Sequence, residues 1–193
     1  MTRTTLYKGV YFAMLGGGAL LAGAILLHFR ASPVALATVI LAALIPGRIL
    51  GFFWRDLLRG LRLLNAKDYA ASKFHLERFL EYFRGHRWIR HLIWLGSSTY
   101  SRNPEVLALN NLGAAEIGLG QLDLARAHLN AVVALDPLCP LPFYNLGVLA
   151  GAQGDMAEQE RCFMQAWRLG YRNSVIDKIV RASQNRFANT DGR

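Results

Sequence analysis

The sequence predicts an all-α chain: two transmembrane helices, then a short helical-hairpin solenoid with a C-terminal capping helix. Three observations carry that expectation. Residues 106–139 overlay 140–173 without a gap when shifted by 34 positions, so Asn111-Leu112-Gly113 falls on Asn145-Leu146-Gly147. A fixed period in the thirties, with a helix-turn-helix pattern in each copy, marks a helical solenoid. Second, Leu122, Ala125, Leu129, Val132 and Val133 recur at three- and four-residue spacing, one apolar helical stripe. Third, Gly9 to Phe29 runs 21 residues without a charge, enough to cross a hydrocarbon core of ~30 Å.

Residues 1–54 read as a membrane hairpin with spans at about 9–29 and 33–53. No Ala-x-Ala site precedes a polar start, which favours a hairpin over a cleaved leader. The second span encloses Arg48, which near the end of the span snorkels to the headgroups. Small residues such as Gly17, Gly18, Ala22 and Gly23 permit close packing, either inside the hairpin or against another membrane protein. Arg3 and Lys8 on one side, and Arg48, Arg55, Arg59 and Arg62 on the other, outweigh Arg30 in the connection. Both termini are therefore expected in the cytoplasm of a bacterium, the chain being integral to the inner membrane.

Residues 55–100 form a basic and aromatic helical segment. Phe53, Leu57, Leu61 and Leu64 share one helix face; a turn at 65–68 leads to a second helix with Tyr69, Leu76, Phe79, Leu80 and Phe83. Residues 87–95, RWIRHLIWL, suit either a helix at headgroup level or a core helix capping the first hairpin. Asn103-Pro104-Glu105 reads as N-cap, first-turn proline and first-turn acid. Gly120 and Gly154 end first helices in the left-handed conformation, and Asp136-Pro137 stops a second one. Gly113 with Ala125, and Gly147 with Ala166, suit close helix approach. Residues 174–186 read as the capping helix, opened by Ser174 with Asp177, and 187–193 as a disordered tail.

The two copies in 101–173 resemble the tetratricopeptide repeat family. The residues that carry the likeness are Leu109, Leu112-Gly113, Gly120, Ala125, Leu129 and Pro137, then Phe143, Leu146-Gly147, Gly154, Phe163 and Ala166; Val132, Gln159 and Tyr171 depart from the pattern. In the same register, 53–86 is a degenerate first repeat, with Gly60, Ser72, Leu76 and Phe79 at the key positions. The resemblance implies a protein-binding groove lined by the first helix of each repeat. Carried over by register, its contacts are Leu107, Asn110, Asn111, Ala114 and Ile117, with Tyr144, Asn145 and Val148. That groove has no Lys or Arg, which argues against clamping a terminal carboxylate.

Chemistry is otherwise absent. Formal charge is +9, and the five histidines are scattered without metal-ligand spacing. Cys139 and Cys162 fit no disulfide framework and read as reduced thiols near helix surfaces. No catalytic constellation, cofactor, metal or small-molecule substrate is expected, and no nucleic acid. The sequence therefore predicts a non-enzymatic, membrane-anchored scaffold for membrane-associated proteins, serving complex assembly; the alternative is a structural subunit of a larger membrane complex. Arg48, Trp54, Arg55, Arg59, Arg62, Arg87 and Trp88 are its expected contacts with anionic lipid headgroups.

Overall fold

In the computed structural model the described residues are 51–88, 101 and 103–180, with scattered positions from 10 to 48. The expected spans at 9–29 and 33–53 lie almost wholly outside them, as do residues 89–100 of the basic segment and the tail at 187–193. Every element among the described residues is helical: α1 (Arg55–Asn65), α2 (Tyr69–Gly85), α3 (Pro104–Gly118), α4 (Leu122–Leu135), α5 (Leu141–Ala152) and α6 (Met156–Arg168). Residues 174–180 are helical as well.

No helix among the described residues is long and apolar enough to cross a membrane. This corrects the expectation of an integral inner-membrane protein. The first of the six helices, α1, has only 11 residues and includes Arg55, Asp56, Arg59 and Arg62. At ~1.5 Å per residue it spans about 16 Å, roughly half a hydrocarbon core.

The helices pair as α1/α2, α3/α4 and α5/α6, and each second helix packs on the first helix of the next pair. The first helices also touch in sequence, α1 with α3 and α3 with α5. Turns between paired helices obey one rule. Gly120 (φ 73°) and Gly154 (φ 79°) take the left-handed conformation there, and Lys67 (φ 62°) does so without being glycine. Asp68 and Asp155 then cap α2 and α6 by accepting from Ala71 N and Glu158 N. The Asn103 side chain caps α3 as its sequence requires, accepting from Glu105 N at 3.1 Å. At residue 174 the cap differs from expectation: Asn173, one residue earlier, accepts from Ile176 N at 2.8 Å.

Within each hairpin a glycine forms a socket. A Cβ built on Gly113 would lie 2.8 Å from the Leu129 side chain and 3.4 Å from Ala125 O. On Gly60 it would lie 2.7 Å from Leu76 and 3.4 Å from Ser72 O, the same contacts 53 residues earlier. A Cβ built on Gly147 would lie 2.6 Å from the Phe163 ring. Only glycine leaves room for a large side chain on the facing helix.

The core is continuous across the junctions. Leu57, Leu76, Phe79 and Phe83 of the first pair meet Val106, Leu109 and Leu112 of α3. Leu129, Leu146 and Cys162 join the second pair to the third. Ile176 and Val180 close the far end against Phe163 and Ala166. Both cysteines are buried, not near the surface, and burial pushes the Cys139 thiol up to about 11. The Cys162 thiol is raised by the same cause.

Candidate functional site

The positions expected to line a groove lie on the first helices, and structural register brings them together. Leu107, Asn110, Asn111, Ala114 and Ile117 of α3 are matched in α5 by Leu141, Tyr144, Asn145, Val148 and Gly151. Sequence reasoning stopped there. The α1 equivalents, Trp54, Leu57, Leu58, Leu61 and Leu64, were missed as groove positions, although the register starting at residue 53 already pointed to them.

Exposure sorts these side chains into floor and walls. Leu107, Asn111, Ala114, Tyr144, Asn145, Val148, Leu61 and Leu64 are half-buried, and Leu58 is exposed. Asn110 is 3 % exposed and is spent inside the fold, because its Oδ1 accepts from Asn145 Nδ2 at 3.0 Å. That bond fastens α5 to α3. Asn111 donates from Nδ2 to Leu107 O within α3, at 2.6 Å. Tyr144 leans on Phe163 and Tyr171, with ring centroids 5.6 and 5.0 Å away, so part of its surface belongs to the core. Ile117 packs on the Leu129 cluster. What stays open is a neutral, mainly apolar strip across three helices.

Several polar ties that sequence reasoning did not find hold the helices that carry the strip. Glu116 of α3 is fully buried, and its Oε1 accepts from Lys73 Nζ of α2 at 3.2 Å. His128 Nδ1 of α4 lies 2.8 Å from its Oε2. Lys73 also donates to Gln121 Oε1 at 2.6 Å. At the next junction Arg126, which stands where Lys73 does in register, donates to Gln153 Oε1 at 2.6 Å. His75, the register equivalent of His128, meets Asp56 Oδ1 at 2.9 Å. A charge with no exposure is tolerable only when paired and hydrogen-bonded, so Glu116 fixes three helices relative to one another.

Of the residues expected to contact lipid, Arg48, Arg55, Arg59, Arg62, Arg87 and Trp88 are exposed. Trp54 is not. It is 5 % exposed within the core cluster, and its Nε1 is buried with no acceptor among the described residues. A side chain so placed faces the protein interior rather than any surface. Trp88 stands edge-on to Phe53, with centroids 5.1 Å apart. Among the described residues no group of three His, Cys, Asp or Glu is placed to hold a metal ion.

The comparisons with known proteins agree with this geometry over part of the chain. The family profile described as tetratricopeptide repeat matches residues 106–137, which comprise nearly all of α3, the turn at Gly120, and α4. No curated protein matches the sequence. Residues 106–137 are thus similar to a tetratricopeptide repeat, a unit typical of non-enzymatic protein–protein interaction scaffolds.

Proposed function

We propose that the chain is a protein-binding scaffold built from three stacked repeats, 53–86, 106–139 and 140–173, whose first-helix face holds a segment of a partner protein. The observation that carries the reading is the neutral strip shared by α1, α3 and α5. Leu61, Ala114 and Val148 leave apolar surface partly open at equivalent positions of consecutive repeats, and Leu58 and Leu64 add to it on α1. Apolar surface facing water at regular intervals suits an amphipathic helix or extended segment laid across it. No Lys, Arg, Asp or Glu stands at any of the strip positions, so burial of apolar area is the main source of affinity. Asn111 and Asn145 supply the polar contacts, and the glycine sockets hold the strip rigid.

The test places a photocrosslinking amino acid at Ala114, on the strip, and separately at Ala131, exposed on the opposite helix α4. Discrete adducts from 114 that vanish with Val148→Arg, and none from 131, are the expected result. Equal adducts from both positions, or none from 114, would overturn the proposal.

A further inference from the structure

One face of α1 breaks the pattern of its equivalents. In α3 the face that receives the preceding helix carries Ala108, Leu112 and Ala115, at most 1 % exposed. In α5 the same positions are Pro142, Leu146 and Leu149, all buried, and at the far end Ile176 and Val180 are buried likewise. In α1 they are Arg55, Arg59 and Arg62, all exposed and without an acidic partner among the described residues. Each of the other two faces bears a helix, α2 on α3 and α4 on α5. The α1 face has the same two-turn pitch but presents a row of guanidinium groups along about 10 Å.

Beside the row lies a cavity of about 420 Å³. Phe52, Phe53 and Tyr82 form its aromatic walls. Its charges offset each other, Arg55 and Arg78 against Asp56 and Glu81, and Asp56 is already engaged by His75 and Arg78. A neutral aromatic cavity thus adjoins a cationic row, with Arg55 belonging to both.

We propose that this end face docks an acidic amphipathic helix of a partner protein. Its carboxylates at i, i+4 and i+7 meet Arg55, Arg59 and Arg62, and one large apolar residue seats between Phe52 and Tyr82. The occupant is helical because the equivalent faces carry helices. It is acidic because an apolar helix would bury three guanidinium groups without a counter-charge, and their lost hydration would oppose docking. Arginine suits the task, since its fork pairs with carboxylate in two parallel hydrogen bonds. This surface borders the first-helix strip at Leu58, which stands three residues after Arg55 and four before Arg62.

The full chain is titrated, by fluorescence anisotropy, into a panel of fluorescein-labelled helical peptides. Each has Glu at i, i+4 and i+7 and one Leu, Phe or Trp anchor. Binding that weakens about tenfold or more with Arg59→Glu plus Arg62→Glu, and falls as salt rises, is expected. Phe52→Ala should weaken the anchored peptides but not their anchor-to-Ala counterparts. Ala127→Glu plus Ala131→Glu, on α4, should change nothing, and far-UV circular dichroism should show all variants folded. Three outcomes overturn the proposal: no peptide binds, binding ignores the arginine substitutions, or only phosphatidylserine vesicles bind in an arginine-dependent way.

Discussion

The first hairpin and the second differ in most of their residues and share one set of contacts. Gly60, Ser72 and Leu76 of α1/α2 stand 53 positions before Gly113, Ala125 and Leu129 of α3/α4, and the two sockets agree to 0.1 Å. Yet the family match covers 106–137 and not the first hairpin. The first has Lys67 where the second has Gly120, Phe79 where it has Val132, and arginines where it has Ala108, Leu112 and Ala115. The comparison teaches which positions shape a hairpin of this kind. A glycine facing a large side chain sets the helix approach; the turn glycine and the outward face can drift.

The tie between these two hairpins is the first place to break the comparison. Glu116→Ala removes the buried carboxylate shared by Lys73 and His128 and should cost about 1.5–3 kcal/mol in chemical denaturation. A loss below ~1 kcal/mol would mean that the junction does not rest on it. Next comes Cys139, which lies in the same core cluster as α1, α2 and α3. Its thiol, raised from 9.0 to about 11 by burial, stays protonated in the fold while the unfolded chain loses its proton. The folded state then binds more protons, so stability should fall as pH climbs from 9.0 to about 11, by about 2–3 kcal/mol. Cys139→Ala should remove that component of the slope, and its persistence would place the cause elsewhere.

Smaller effects sharpen the likeness. Gly60→Ala and Gly113→Ala should each cost about 1–3 kcal/mol, because the new methyl meets a packed leucine. A silent Gly60→Ala would show the first socket to be loose. Lys67→Gly should stabilise by about 0.5–1 kcal/mol, relieving a left-handed lysine, whereas Gly120→Ala should destabilise by a similar amount. Thermal melts of the pair would show opposite signs.

The second and third hairpins were legible in the sequence because their period is a plain 34 and their turn glycines are present. The first was harder to see. The segment after α2 adds 19 residues to the period, and Lys67 and Phe79 hide the turn and one core position. The groove positions followed from register, but which of them were already used did not. Asn110 reads as an exposed polar residue of a helix until Asn145 is seen to bond it from the next repeat. The Glu116 tie was invisible because Lys73 and Glu116 are 43 residues apart and no short motif links them. Trp54 and the arginines following it looked like one basic-aromatic belt at the end of an apolar run. Packing separates them, turning Trp54 into the core and Arg55, Arg59 and Arg62 outward.

The most direct test of the account is native-state hydrogen exchange on the full chain, read separately for α1/α2 and α3/α4. If the first hairpin is a stacked equal of the second, the slowest amides of both should exchange with one shared opening free energy, and Glu116→Ala should uncouple them. Exchange of α1 and α2 several kcal/mol easier than α3 and α4 in the unaltered chain would contradict it, leaving the first hairpin an appendage rather than a repeat.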